Sequence, residues 1–219
     1  MIVLALDTAG VDCSAALYDS DTDEILAEVS ETIGRGHAER LMSFVDTCVE
    51  KAGLTLDDVG RIAVTIGPGS FTGIRVGVAA ARGFALALGV PAVGISTLAV
   101  LAAADVEANG GKPVMAAIDA KRGEIYLQAF NSRGVASDQA VVVSVEDARS
   151  AAAAFDGRIV GSGAALIAGE GREADVDHYP IRTLARLASA EDASMVRPKP
   201  LYLRGPDAKP QSGFALARK

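Results

Sequence analysis

The chain has 219 residues, half of them hydrophobic and 22% charged, with a formal net charge of −7. This is enough apolar sequence for one large or two small domains with a true core. An acidic chain repels phosphate backbones, and its terminal basic residues (Arg197, Lys199, Arg204, Lys209, Arg218, Lys219) are scattered, which excludes tight nucleic-acid binding by the chain alone.

Strand patterns open the chain at Ile2–Leu6, Ser14–Tyr18 and Glu24–Ser30. The short polar turns between them force antiparallel neighbours. A helix is predicted from about His37 to Ala52, a strand at Ile62–Ile66, a helix at Gly73–Leu88, a strand at Ala92–Ile95, and a helix capped by Ser96. Strands alternating with helices imply right-handed parallel crossovers, so the sheet is expected to be mixed. Cys13 and Cys48 read as small core residues, and their number and spacing suit neither a disulfide framework nor a zinc site. The first residues enter a strand directly, and Arg82, Gly89 and Pro91 break up the most apolar helix, so a soluble, cytoplasmic protein with no membrane span is expected.

The second half starts again in the same way. Val114–Ile118 ends in Asp119 as the first strand ends in Asp7, and Glu124–Phe130 follows a glycine turn. Ala140–Val143 is a third strand, Ser144 with Asp147 predicts a capping box for a helix through Ala154, and Arg158–Val160 is a fourth strand before a Gly-rich turn. Pro180 opens a last helix to about Ala190, and a Pro-rich, extended or mobile tail follows from Arg197. The pattern predicts two copies of one α/β fold, residues 1–108 and a reduced copy in 109–219 that includes the last helix and tail.

Between strand and helix, residues 67–77 read Gly-Pro-Gly-Ser-Phe-Thr-Gly-Ile-Arg-Val-Gly. A Gly-rich turn before a helix can gather amides around an anion. The spacing fits neither a P-loop, which needs Lys where Ile74 stands, nor the dinucleotide fingerprint. A tight turn whose glycines let the helix sit close is the preferred alternative.

Several blocks together resemble the bacterial TsaB (YeaZ) family. They are Leu4-Ala5-Leu6-Asp7-Thr8-Ala9, Cys13-Ser14-Ala15-Ala16-Leu17, His37-Ala38-Glu39-Arg40-Leu41, the 67–77 loop, Ser96-Thr97-Leu98, Ala117-Ile118-Asp119-Ala120-Lys121-Arg122, Glu124-Ile125-Tyr126 and Pro200-Leu201-Tyr202-Leu203-Arg204. The resemblance implies an actin/sugar kinase/Hsp70-like fold of two ribonuclease-H-like domains, the second reduced. It implies a non-catalytic subunit in the synthesis of N6-threonylcarbamoyladenosine at position 37 of tRNAs reading ANN codons. Such a subunit pairs with its catalytic homologue TsaD, is joined by a TsaE-type ATPase and meets tRNA only through the complex; when alone it is open to either a monomer or a homodimer. ATP and metal then belong to the partners, and the isolated chain has no cofactor. The family carries older glycoprotease and peptidase M22 labels.

The candidate chemistry is sparse. A metal-binding H-x-x-x-H helix needs a second His where Leu41 follows His37, so no metal site is expected. Ser70 lies in no nucleophile elbow and no triad is evident, so no catalytic residue is assigned and a glycoprotease-like hydrolase is a minor alternative. Asp7, Thr8 and Asp119 end equivalent strands and are the candidate nucleotide ligands, for which a small ATP-binding phosphotransferase is the rival function; structural Asp caps are the plainer alternative. Leu41, Phe44, Val45 and Cys48 form an apolar stripe on the first long helix, and the second is apolar on nearly all sides. These faces cover the chain's own sheet or a partner. The resemblance implies a four-helix partner contact, which adds Ile74, Val76, Gly77, Ala80 and Ala81 to the candidate interface.

Overall fold

The computed structural model describes residues 1–169, 176–192 and 197–204; the predicted basic residues Lys209, Arg218 and Lys219 lie outside them. Strands β1 (Ile2–Asp7), β2 (Asp12–Asp19) and β3 (Glu24–Thr32) form an antiparallel meander. Helix α1 (His37–Ala52) crosses to β4 (Val59–Thr65), parallel to β1, and α2 (Phe71–Leu88) crosses to β5 (Ala92–Ile95), parallel to β4. The sheet order is β3-β2-β1-β4-β5. Crossover helices allow the parallel pairs and tight turns the antiparallel ones.

The second unit repeats this plan. After α3 (Thr97–Asn109) come β6 (Val114–Lys121), β7 (Glu124–Phe130) and β8 (Val141–Ser144), then α4 (Val145–Ala153) and β9 (Arg158–Val160), in the order β8-β7-β6-β9. That order matches β3-β2-β1-β4 without a fifth strand. The architecture is therefore mixed α/β with two mixed sheets, the second smaller. Both predicted serine caps form: Ser96 Oγ accepts from Ala99 N–H at 3.0 Å and Ser144 Oγ from Asp147 N–H at 3.0 Å. Helix α5 (Gly163–Ala168) was not predicted; six residues, half of them alanine, are too few to carry an apolar period.

The two units trade helices. Helix α3 packs on β6, β7 and β9 of the second sheet. The last helix, α6 (Ile181–Ala190), packs on β1, β2, β4 and β5 of the first. Its expected place in the second unit is thus corrected. Its buried face, Ile181, Leu184, Ala185 and Ala188, joins the large core cluster of the first sheet. Helices α1 and α2 touch each other on that sheet, so α6 covers the opposite face, and Val3 to Leu6 are buried from both sides. Along β6, Val114, Ala116 and Ile118 belong to the large cluster, while Met115 and Ala117 fill a small core with Ile125, Leu127, Ala148 and Ile167. Strand alternation sends successive side chains to opposite faces.

Helix α2 is, by length and composition, apolar enough to cross a membrane, which the expectation from Arg82 did not anticipate. In the fold one side of it is pressed against the β1 turn. A Cβ at Gly73 would lie 1.9 Å from the Thr8 carbonyl oxygen, and one at Gly77 would lie 2.6 Å from Thr8 Oγ1. Neither neighbour is a flexible chain end, so both positions require glycine. Gly83, further along, faces open space.

The pair makes a test. Gly73→Ala is expected to destabilise the protein by about 3 kcal/mol or more, because backbone must move to admit the methyl. Gly83→Ala is expected to be neutral or to gain up to about 1 kcal/mol from helix propensity. Urea unfolding of both variants checks this; equal stabilities would refute the close-approach account.

Candidate functional site

The glycine loop is held by the chain's own backbone. Ser70 N–H donates to Ala9 O at 2.7 Å, and Thr8 Oγ1 donates to Gly73 O at 2.7 Å. Thr97 N–H donates to Gly67 O at 3.0 Å and Thr97 Oγ1 to Pro68 O at 2.6 Å. Ser70 caps α2, its Oγ accepting from Gly73 N–H at 3.2 Å. Gly69 has the same cause as Gly73: a Cβ there would lie 2.4 Å from Ala9 O. The loop is a docking device for α2, as the tight-turn alternative holds.

Asp7 lies directly beneath. It is fully buried, its Oδ1 accepting from Thr65 Oγ1 at 2.5 Å and Ala9 N–H at 3.0 Å. Its Oδ2 has no hydrogen-bond partner among the described residues. Loss of solvation pushes the carboxyl up to about 6. Thr8 is also fully buried, so two of the three candidate nucleotide ligands, Asp7 and Thr8, do not reach an open surface. Asp119 instead binds within its own hairpin: Lys121 Nζ stands 2.7 Å from Oδ2 and Lys121 N–H 2.7 Å from Oδ1.

Between the two carboxylates runs the segment Asp177–Tyr179. Asp177 accepts from Ser162 N–H at 2.7 Å and Ser162 Oγ at 2.5 Å, while Ser162 Oγ also lies 2.9 Å from Asp119 N. Burial raises the Asp177 carboxyl above its ordinary value. Tyr179 is buried so close to Gly10 that a Cβ there would meet its ring at 3.0 Å. Sequence reasoning missed this segment, because nothing local in it signals contact with turns so distant along the chain.

Both histidines converge on Asp12. His37, buried at the start of α1, places Nε2 3.1 Å from Asp12 O; His178 Nδ1 lies 2.5 Å from Asp12 Oδ2, and Thr32 Oγ1 donates to Oδ1 at 2.6 Å. Among the described residues no group of three His, Cys, Asp or Glu is placed to hold a metal ion.

The candidate interface needs correcting. Leu41, Phe44, Val45 and Cys48 are buried inside the chain on β2 and β3, Cys48 Sγ donating to Ala15 O at 3.2 Å. Ile74, Gly77 and Ala81 are buried likewise, and only Val76 and Ala80 stay half-exposed. An apolar stripe buries against the nearest apolar surface, and here that is the sheet to which the helix is covalently tied. The open side of α2 carries Phe71 (56% exposed), Arg75, Ala79, Arg82 and Leu86 (81% exposed) instead.

The buried carboxylate sets a pH test. The folded-state value of Asp7 is about 6 against an ordinary 3.8, so folding favours the protonated form. Its contribution is unpenalised below the lower value and becomes a full penalty once pH has risen through the upper one. Asp7→Asn keeps an oxygen for Thr65 and Ala9 and is expected to raise stability by about 1–3 kcal/mol near pH 8, with the gain fading toward about pH 4. Thermal unfolding across pH checks it; a gain independent of pH would overturn the account.

Against known proteins, residues 24–158 match the family model described as TsaD, tRNA N6-adenosine threonylcarbamoyltransferase. The tRNA threonylcarbamoyladenosine biosynthesis protein TsaB of Escherichia coli (strain K12) is 40% identical over 130 residues, 59% of this chain and 55% of that protein. The chain's match thus spans little more than half the length of that curated relative. An uncharacterized protein of Mycobacterium tuberculosis (strain ATCC 25618 / H37Rv) is 33% identical over 219 residues, with 95% and 94% covered. The structure of YeaZ from Pseudomonas aeruginosa superposes with a TM-score of 0.78 at 30% identity, covering 92% of this chain and 99% of that one.

Proposed function

The chain belongs to the TsaB (YeaZ) family, and from that premise we propose that it is a non-catalytic partner subunit in tRNA threonylcarbamoyladenosine synthesis. It supports a TsaD-type catalytic homologue that places threonylcarbamoyl on N6 of adenosine 37, and a TsaE-type ATPase joins the pair. The chain works in the cytoplasm, and ATP, metal and tRNA are bound by the partners or by the assembled complex.

The observation that carries this reading is the uncovered side of α2. Leu86 is 81% exposed and Phe71 56% exposed there beside Ala79 and the half-buried Val76, although Tyr202 packs against the Phe71 ring. A helix apolar on two sides has one side for its own sheet and one for something else. The buried Asp7 also supports it, since its carboxylate serves the internal packing of the loop. Burial of Leu41, Phe44, Val45 and Cys48 takes that stripe of α1 out of the candidate contact and turns attention to α2 and its surroundings.

The experiment mixes the purified chain with its TsaD homologue, with and without the TsaE homologue, and measures complex formation and modified tRNA. Leu86→Asp is expected to fold and to weaken pairing by at least about a hundredfold, because a desolvated, unpaired charge costs about 3–5 kcal/mol. Phe44→Asp is expected to fail to fold, since it strands the same charge in the chain's own core. A folded Leu86→Asp that pairs and supports modification at wild-type level would refute the α2 interface.

A further inference from the structure

The Pro-rich segment after α6 is an ordered part of the α2 surface over residues 197–204. Pro198 is buried, lying next to Gly94, and Leu201 N–H donates to Ile66 O at 2.8 Å, just before the glycine loop. Arg204 then reaches the second unit, donating to Ala120 O at 3.2 Å and pairing with Glu124. The segment is thus anchored on both sheets. Between the anchors Tyr202 stands half-exposed, its hydroxyl accepting from Arg75 Nε at 2.8 Å. The Arg75 guanidinium lies 3.7 Å from the centre of the Phe71 ring, and the Phe71 and Tyr202 rings are 5.5 Å apart. A cation stacked on one ring and bonded to the hydroxyl of a second has lost most of its freedom to turn away.

Arg75 held in this way forms one wall of a groove of about 390 Å³, with Val78 and Ala79, Arg82, Pro200 and Tyr202 around it. Helix α2 contains Arg75 and Arg82 and no acidic residue, in a chain whose net charge is −7. Arg82 makes no ion pair among the described residues. Two arginines flank an apolar floor, so the groove complements a carboxylate carried among apolar side chains. Arg197 and Lys199 of the same segment are exposed as well, but a nucleic-acid strand would still face an acidic whole.

We propose that α2 and the 197–204 segment together form the docking surface for an acidic, apolar segment of the catalytic partner, with Tyr202 as the positioning residue that aims Arg75. The proposal rests on the pairing function above and adds to it the tail, the partner's chemistry and a physical link to the second unit. Pairing then depends on the segment's attachment at Glu124 as well as on α2.

The test measures affinity of the full chain for the purified catalytic homologue by calorimetry at about 50 and 300 mM salt, where screening separates charge from apolar contact. Arg82→Glu is expected to weaken binding at least about tenfold and to flatten or invert its salt dependence. Tyr202→Ala is expected to weaken it by about the same factor, and Tyr202→Phe, which keeps the ring, by less. Arg133→Glu, an equal change of charge on an exposed turn of the second unit, is expected to bind as wild type. Circular dichroism confirms folding of all four variants, which these three exposed positions permit. Wild type that does not bind at all overturns both this proposal and the pairing function. Wild type that binds, with Arg82→Glu and Tyr202→Ala at full affinity, overturns this proposal alone. Loss of tRNA from an intact complex of Arg82→Glu would overturn it in favour of an RNA contact.

Discussion

The carbonyl oxygen of Thr8 lies where Gly73 would carry its Cβ, and much of the molecule follows from that contact. It brings α2 against the turn after β1, closer than any side chain would allow. The loop amide of Ser70 is drawn onto Ala9 O, and the Thr8 hydroxyl onto Gly73 O. With the turn covered, Asp7 is sealed from water, and its two hydrogen bonds from Thr65 and Ala9 replace only part of its hydration. The same contact sets the rotation of α2. Gly73, Gly77 and Ala81 face inward, so Arg75, Arg82 and Leu86 must face outward. An internal packing demand therefore decides which residues of α2 are left exposed.

The exchange of helices gives that surface a wider setting. Helix α3 leaves the first sheet to pack on the second, and α6 returns to cover the first. Each unit completes the core of the other, so neither has a whole core within its own stretch of sequence. The chain crosses between the sheets again at Asp177–Tyr179, which binds Ser162 on one side and lies against Gly10 on the other. Arg204 makes a further crossing to Glu124. Several separate ties resist relative motion more than one linker does. The surface made by α2 and the 197–204 segment is thus tied to both units at once.

What a lone residue pattern means depends on what lies nearest to it. The 41–52 periodicity identified an amphipathic helix correctly, yet it could not distinguish a sheet of the same chain from a partner, since both are apolar surfaces. Cys48 and Phe44 went inward because the loop between β3 and α1 leaves the helix no other surface within reach. His37 and His178 stand far apart in the chain, and only folding places both on Asp12. Strained and close contacts, by contrast, leave traces in composition: three glycines within seven residues were already a sign of backbone meeting backbone.

By itself, the sequence determined the secondary structure of both halves apart from helix α5, the duplicated element pattern, the serine caps at Ser96 and Ser144, and the TsaB-like motifs that place the chain in its family. These rest on local properties: apolar period, turn chemistry and the conformational freedom of glycine. Only the tertiary structure decided which sheet α3 and α6 cover, which side of α2 is left open, and that Tyr202 meets Arg75. These depend on which surfaces come within a few ångströms of one another, and contacts between distant residues such as Tyr202 and Arg75 leave no period in the chain to be read.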